Sequence, residues 1–323
     1  MLHLIRGRYA PSPTGTLHLG NLRTALLAWL FARGADGEFV LRIEDLDRAR
    51  VRVGATAHML ADLRWLGLDW HEGPDVGGPH TPYMQSERQA IYTMYLQRLQ
   101  ALGLVYPCYC SRAEIARVAS APHGDDGPAY PGTCRHLSTA RRQQYERSGR
   151  QPALRLRVDD TRVVTFTDLV VGPVRQQVQQ TVGDFILRRA DGIFAYQFAV
   201  VVDDGLMGIN QVVRGADLLT STARQILLFE ALHFPVPTFV HVPLWLDCIG
   251  RRLSKRVESA GLAPLQSGGA APDHVVGQLA ASCGLVEQGE RMSAAQLVER
   301  YRGRRYDIIR TVLKQAHALS QIN

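Results

Sequence analysis

Near its amino terminus, the chain joins a strand-like segment to a helix through a stiff turn. Residues 4–9 form a short strand pattern, and the Pro11-Ser-Pro-Thr-Gly15 segment then forces a turn. A helical pattern follows at residues 19–33, with four leucines repeating on one face. A strand that turns directly into a helix is typical of a parallel sheet whose strands are joined by crossover helices.

Similar patterns alternate through much of the chain and extend this prediction. They predict strands at residues 39–43, 194–202 and 238–246, and helices at residues 55–66, 87–102 and 220–232. The 194–202 segment is rich in aromatic and β-branched residues, so we expect it to return the chain to the sheet as a strand. The predicted fold class is α/β, with a Rossmann-type parallel sheet.

The composition of the sequence changes after Tyr106. Residues 107–193 hold three clustered cysteines, a Gly-, Pro- and Asp-rich loop, a basic stretch, and strand-like runs at 153–158 and 163–169. We expect this region to be an α+β domain inserted into a catalytic domain that comprises residues 1–106 and 194–250. Residues 251–323 are expected to form a loop and a helical tail, which follows the Gly- and Ser-rich residues 266–271.

The turn before the first helix has the chemistry of a phosphate site. The first turn of a helix presents unpaired N–H groups and a partial positive charge. Gly20 allows a ligand to approach the backbone closely, and His18 can donate a hydrogen bond to a phosphate oxygen. Taken alone, this His-x-Gly pattern is better explained as a plain turn and helix cap.

The longer segment Arg8-Tyr-Ala-Pro-Ser-Pro-Thr-Gly-Thr-Leu-His-Leu-Gly20 is more specific. It resembles the ATP-binding signature of the glutamyl branch of the class I aminoacyl-tRNA synthetases. This resemblance implies that His18, Gly20 and Asn21 bind ATP and that His18 takes part in catalysis. The usual signature ends in histidine where this chain has Asn21, whose side chain can still donate a hydrogen bond.

A second basic motif, Arg252-Leu-Ser-Lys-Arg256, resembles the Lys-Met-Ser-Lys-Ser signature of the same class. Attack of a carboxylate on the α-phosphate of ATP builds negative charge on the phosphates, so a positioned cation stabilises the transition state. The resemblance gives this catalytic role to Lys255, places Ser254 and Lys255 at ATP, and implies Mg²⁺ with the nucleotide. By itself, the pentapeptide would be interpreted as a solvated basic loop.

The resemblance also implies a pocket for glutamate. Its residues are Arg8, Tyr9, Ala10, Pro11, Ser12, Glu44, Tyr196 and Arg214. Glu44 follows the second predicted strand, and the carboxyl ends of parallel strands are where such sheets bind ligands. A carboxylate there can pair with the substrate ammonium, while an arginine fork suits the side-chain carboxylate and helps to reject glutamine. Without the family context, the acidic run around Glu44 is a polar loop and Tyr196 a core aromatic.

Three cysteines lie close together, in Cys108-Tyr-Cys110 and in Tyr130-Pro-Gly-Thr-Cys134-Arg-His136. In a cytoplasmic chain, such a cluster indicates a metal site rather than disulfides, and three thiolates with one further ligand match tetrahedral zinc. His136 is the better fourth ligand chemically, whereas Tyr130 is the ligand implied by the short members of the family. The sequence fits both patterns. We expect one structural zinc ion per chain, although unrelated buried cysteines are the simpler alternative.

The part of the chain after the second signature bears on the nucleic acid that is bound. Residues 257–323 must complete the catalytic body, and a separate anticodon-binding domain needs on the order of a hundred residues, so we expect none. In this respect the chain resembles the short branch of the family, which forms glutamyl adenylate without tRNA and then esterifies the queuosine base in the anticodon of tRNA(Asp). The implied partners are glutamate, ATP and queuosine-bearing tRNA(Asp), bound by a monomer.

Charge and hydropathy agree with such partners. Lys and Arg outnumber Asp and Glu by 37 to 30, which suits a polyanion. No apolar run is long enough to span a bilayer, and residues 1–8 lack the apolar core of a secretory signal. We therefore expect a cytoplasmic protein without a membrane partner.

Other functions are compatible with parts of this pattern. One is a truncated or discriminating glutamyl-tRNA synthetase that charges the tRNA 3′ end, and another is a catalytically dead paralogue that only binds RNA. The joint presence of Arg8, Glu44, Arg214 and Lys255 argues against the dead paralogue. A small-molecule adenylating enzyme with a similar His-x-Gly turn would not explain the cysteine cluster or the basic insertion.

Overall fold

The computed structural model describes residues 4–111, 113–115, 129–245, 261–304 and 307–312. The strands are β1 (Arg6–Tyr9), β2 (Glu38–Leu41), β3 (Val105–Cys108), β4 (Ala153–Leu156), β5 (Val164–Asp168), β6 (Gly172–Gln176), β7 (Ile186–Arg188), β8 (Gln211–Gly215) and β9 (Thr238–Val242). The helices are α1 (Leu19–Arg33), α2 (Ala55–Trp65), α3 (Gln89–Ala101), α4 (Thr139–Arg147), α5 (Val178–Thr181), α6 (Tyr196–Leu206), α7 (Leu219–Ala231), α8 (Leu262–Ser267), α9 (Pro272–Ala281) and α10 (Ala294–Tyr301). Short 3₁₀ turns lie at Arg48–Arg50, Gln85–Glu87 and Ala216–Leu218.

The central sheet is parallel, with the strand order β2-β1-β8-β9, and confirms the predicted α/β class. From β1 the chain crosses through α1 to β2 on one side, and from β8 it crosses through α7 to β9 on the other side. The strand order therefore reverses direction between β1 and β8. Ligands of open α/β sheets bind at such a switch point, outside the carboxyl ends of the strands.

Both faces of this sheet are buried under helices. Because successive side chains of a strand point to opposite sides, neighbouring residues of one strand pack against different helices. Val213 packs with α1, α9 and α10 on one face, whereas Val212 packs with α3, α6 and α7 on the other. Arg214 lies two residues after Val212 and so shares its face, as does Arg8, which pairs in register with Val40. The alternation thus places two arginines on one face at the end of neighbouring strands.

The region between α3 and α6 forms smaller antiparallel sheets. One has the order β3-β4-β7, and the other is the β5–β6 hairpin. This hairpin packs on the edge of the central sheet, where the Leu169 amide donates to the Phe239 carbonyl at 3.0 Å. The hairpin therefore brings residues of the predicted insertion next to strand β9.

The prediction of a strand at residues 194–202 is wrong, because most of this segment belongs to helix α6. Residues 198–204 of this helix are all buried. Burial in the second core therefore overrides the strand propensity of the segment. The helix packs so closely at Gly205 that a Cβ atom there would lie 2.4 Å from the ring of Phe234.

The other predicted strands and helices are present, with ends that shift by a few residues. The end of the segment predicted at 238–246 falls on Leu246, which lies outside the described residues. The predicted helical tail is present as α9 and α10, which pack on α1. Within the part of the chain described, no helix is long and apolar enough to cross a membrane.

Candidate active site and cysteine cluster

A cavity of about 720 Å³ opens at the switch point, at the carboxyl ends of β1 and β8. It brings together residues that are widely separated in the sequence. The predicted site residues that line it are Arg8, Tyr9, Ala10, Pro11, Ser12, His18, Gly20, Asn21, Glu44, Tyr196 and Arg214. The predicted ATP and glutamate residues that the structure describes therefore share one cavity.

His18 caps the amino-terminal end of α1, beside this cavity. Its Nδ1 accepts a hydrogen bond from the Asn21 amide at 3.1 Å, so a neutral ring carries its proton on Nε2. The Asn21 carbonyl in turn accepts a hydrogen bond from the Tyr9 hydroxyl at 3.3 Å. The turn, the cap and the helix start thus have the local geometry that the sequence indicated, and the start of a helix is suited to binding an anion.

Glu44 is held at the cavity by a buried network of opposite charges. Arg42 is fully buried, and its guanidinium donates to Glu44 at 3.2 Å and to Asp204 at 2.8 Å. Asp204 also meets Arg8, whose Nε lies 3.3 Å from its nearer oxygen. Because buried charges are stable only when they are paired, Asp204 and Arg42 fix both Arg8 and Glu44 in place.

The burial of these groups changes their acid–base chemistry. Burial raises the pKa of Glu44 to about 7, although the Arg42 and Arg8 guanidinium groups oppose this effect. Burial also raises the pKa of Tyr196 above its ordinary value, so that its hydroxyl stays protonated. An ammonium group bound beside Glu44 would favour the ionised carboxylate.

Arg214 is anchored mainly by uncharged acceptors. It donates from Nη1 to Gln225 at 2.7 Å, from Nη2 to Thr222 at 2.8 Å and from Nε to His241 at 3.0 Å. These contacts orient the guanidinium fork at the cavity wall.

Ser254 and Lys255, together with the rest of the second signature, lie outside the described residues. Their roles at ATP stay a prediction from the sequence.

The three clustered cysteines come together as the sequence predicted. The sulfur atoms of Cys108, Cys110 and Cys134 all lie within 4.8 Å of one another. A hydrogen bond from the Cys134 thiol, together with the Arg155 guanidinium, lowers the pKa of Cys108 against the opposing effect of burial. Thiols this close, with one poised to ionise, are suited to a soft divalent metal ion.

Tyr130 lies against this cluster, whereas His136 is exposed and does not belong to it. The Tyr130 hydroxyl donates to Cys108 Sγ at 3.3 Å and accepts from the Cys134 amide at 2.8 Å. Its backbone approaches Gly183, where a Cβ atom would lie 2.3 Å from the Tyr130 carbonyl and φ is +73°. Only glycine suits that position, so Gly183 permits the close backbone approach that holds Tyr130 beside the cysteines.

Sequence reasoning missed the residues that support the site. They are Arg42, Asp168, Asp203, Asp204, Thr222, Gln225 and His241, and all are buried. The available signal was a charged group beside an apolar run: Asp203 and Asp204 directly follow the Val200-Val-Val202 segment. A buried charge in such a position requires a partner, but only the tertiary structure identifies which one.

Comparison with known proteins agrees with this site. The family model described as "tRNA synthetases class I (E and Q), catalytic domain" matches residues 4–276. A glutamyl-Q tRNA(Asp) synthetase of Symbiobacterium thermophilum is 56% identical over 297 residues, which cover 91% of this chain and 91% of that protein. A protein of the same name from Nitratidesulfovibrio vulgaris is 51% identical over 284 residues, which cover 88% of this chain and 87% of that protein.

A solved structure is also similar. It is a glutamate tRNA ligase from Elizabethkingia meningosepticum in complex with its amino acid, with a TM-score of 0.80 at 28% identity. The match covers 92% of this chain but 64% of that ligase, so the chain spans less than two thirds of its length. The sequence signatures, the parallel sheet and the shared cavity agree with these relatives, and the chain belongs to the class I tRNA synthetases of the glutamyl and glutaminyl type.

Proposed function

We propose that this protein activates glutamate with ATP as glutamyl adenylate and transfers the glutamyl group to the queuosine base in the anticodon of tRNA(Asp). The observation that carries the proposal is the charge pattern of the shared cavity. Arg8, Arg214 and Glu44 line it together with the start of α1. Cationic, anionic and phosphate-binding groups thus face the same space.

This pattern complements glutamate. The amino acid carries two carboxylates and one ammonium group, which match two guanidinium groups and one carboxylate. Glutamine lacks one of the two carboxylates, so it would leave a buried guanidinium without its counter-charge. The arrangement therefore favours glutamate over glutamine as the substrate.

The reaction has two steps. First, the α-carboxylate of glutamate attacks the α-phosphate of ATP, the bond to the β-phosphate breaks, and pyrophosphate leaves. His18 and the amino-terminal end of α1 stabilise the phosphates, and Lys255 supplies a further cation. Mg²⁺ bound with ATP would neutralise charge on the phosphates. In the second step, a hydroxyl of queuosine attacks the adenylate carbonyl and AMP leaves.

The choice of acceptor is supported by the relatives. Proteins named glutamyl-Q tRNA(Asp) synthetase match this chain over about nine-tenths of their own length, whereas the glutamate tRNA ligase is matched over 64%. Queuosine carries a vicinal diol, chemically similar to the terminal ribose of a tRNA. The same adenylate can therefore react with a hydroxyl of queuosine. We place this reaction in the cytoplasm, where tRNA is modified.

The region around the cysteines is the proposed tRNA-contacting surface. Helix α4 presents Arg141, Arg142 and Arg147 to solvent, and such side chains bind phosphates in a salt-dependent manner. One zinc ion held by the three cysteines and Tyr130 would stabilise this surface, and the Tyr130 contacts favour this residue over His136 as the fourth ligand. The zinc site is structural, because its residues do not line the active-site cavity.

The decisive experiment compares acceptors for labelled glutamate. We expect labelling of an anticodon stem-loop of tRNA(Asp) that contains queuosine, but not of the same stem-loop with guanine or of tRNA(Glu). Glutamate on the 3′ end of tRNA(Glu), with none on the queuosine stem-loop, would instead support the truncated or discriminating ligase. Glutamate-dependent exchange of pyrophosphate into ATP tests the first step separately, and its absence would support the catalytically dead RNA-binding paralogue.

A further inference from the structure

A buried histidine–aspartate pair, His241 and Asp168, is hydrogen-bonded to Arg214 through the histidine. His241 lies on β9, directly opposite Arg214 in the register of the sheet. Its Nδ1 lies 2.7 Å from Asp168 Oδ2, and its Nε2 accepts from Arg214 Nε at 3.0 Å. Both the His241 and the Asp168 side chains have no solvent exposure.

The direction of these hydrogen bonds defines the tautomer. Arg214 has only donors, so His241 Nε2 must be the acceptor and must carry no proton. The proton then lies on Nδ1, which donates to the Asp168 carboxylate. Burial also lowers the pKa of His241, against the opposing effect of Asp168, in agreement with a neutral ring.

The second anchor of Arg214 is oriented in the same way. Arg214 donates to the Gln225 carbonyl oxygen at 2.7 Å, while the Gln225 amide nitrogen donates to Gln197 at 2.8 Å. Thr222 accepts a third hydrogen bond from Arg214, at 2.8 Å. A guanidinium has five N–H groups. Three of them are thus directed to fixed acceptors, and Arg214 also has a hydrogen bond with Tyr196, which lines the same cavity.

We propose that Asp168 and His241 are positioning residues for glutamate: Asp168 sets the His241 tautomer, and His241 aims the guanidinium fork of Arg214 at a substrate carboxylate. This inference rests on the proposed function, in which Arg214 binds glutamate. Asp168 comes from the β5–β6 hairpin, so a part of the predicted insertion contributes to amino-acid recognition in the catalytic sheet.

The substitution that tests this is Asp168→Asn. The variant keeps an oxygen that can accept from the Val170 and Val171 amides, as Asp168 Oδ1 does at 2.9 and 2.8 Å. It would present an NH₂ group to His241 Nδ1, which moves the histidine proton to Nε2, where it faces the Arg214 N–H. We expect the KM for glutamate in pyrophosphate exchange to rise by about 10- to 100-fold, with kcat at saturating glutamate close to the wild type.

Two further variants separate positioning from a general structural effect. In a His241→Gln background, a side-chain carbonyl can accept from Arg214 whatever residue stands at position 168, so Asp168→Asn should no longer raise the KM. Asp184→Asn is the matched control, because Asp184 is a buried carboxylate that accepts from Tyr106 and Val158 in the β3–β4–β7 region. It should lower the melting temperature and leave the KM for glutamate unchanged.

Nitrogen-15 NMR of labelled histidine reads the tautomer directly, with the His241 signals identified by their loss in His241→Gln. We expect a proton on Nδ1 in the wild type and on Nε2 in Asp168→Asn. A wild-type ring protonated on Nε2, an unchanged KM in folded Asp168→Asn, or an equal rise in both backgrounds would overturn the proposal. Absence of exchange in the wild type would count against the proposed function instead, and the NMR result does not depend on it.

Discussion

Glutamate binding should weaken as the pH falls through neutrality, because Glu44, which we propose pairs with the substrate ammonium, takes up a proton in the empty site. Burial raises the pKa of Glu44 to about 7, and its side chain is 8% exposed. Only the ionised form attracts an ammonium group, so binding releases the proton. If Glu44 is the controlling group, the apparent Kd is multiplied by 1 + 10^(pKa − pH), which is about 11-fold at pH 6 and about 30-fold at pH 5.5.

The assay is isothermal titration calorimetry with glutamate alone between pH 5.5 and 8. ATP is left out, since its phosphates titrate in the same range. The side-chain carboxyl of free glutamate has a pKa of ~4.3 and stays ionised. Titrations at pH 6 in two buffers of different ionisation enthalpy should reveal the release of close to one proton per glutamate bound.

The Glu44→Gln variant is the critical comparison. Removing one partner of a buried charge pair typically costs ~2–5 kcal/mol, so its Kd should be at least about 30-fold higher and should no longer depend on pH in this range. Glu230→Gln removes a carboxylate from an exposed ion pair with Arg162 and should keep the wild-type profile. A wild-type Kd that is constant from pH 8 to pH 5.5, or the same pH dependence in Glu44→Gln, would refute the reasoning.

Three other predictions follow from the fold and the sequence signatures. Purified protein should hold one zinc ion per chain, and chelation should impair transfer to tRNA more than pyrophosphate exchange. Tyr130→Phe should lose metal faster than His136→Ala. Metal analysis that finds no zinc, or faster metal loss from His136→Ala, would contradict this prediction. Lys255→Ala should reduce adenylate formation by ~3–4 kcal/mol of transition-state stabilisation with unchanged thermal unfolding, and near wild-type exchange would remove this residue from the mechanism. Phe198→Ala, in the second core, should lower the free energy of unfolding by ~3–5 kcal/mol, whereas Val53→Ala at an exposed position should have little effect in the same denaturant titration.

The segment from Arg8 to Asn21 was predictable, because it is one short continuous stretch. Glu44, Tyr196 and Arg214 lie far from it in the sequence and were assigned to the same pocket only through the family resemblance. The turn from Arg8 to Ser12, the cap at His18 and the first turn of α1 are adjacent in the chain, and local sterics and helix capping determine their arrangement. Cys108 and Cys110 are likewise close in sequence, and Cys134 follows within the same region. The sequence left the proposed fourth ligand open, because both Tyr130 and His136 have suitable spacing. The structure adds that Tyr130 is buried beside the cysteines and that His136 is exposed.

The sequence by itself determined the α/β alternation, the helix α1, the turn that precedes it and the cysteine cluster, since each depends on periodicity or chemistry within a few tens of residues. Tertiary structure alone decided that the apolar segment after Ala195 is a helix, because burial on all sides removes the distinction between a strand and a helix that local propensity would make. It also decided the partners of the buried charges. Arg42 meets Asp204 across 162 positions of sequence and His241 meets Asp168 across 73, and no local pattern encodes such pairs. They form because folding removes these groups from water and leaves each charge only the partner that the packing brings to it.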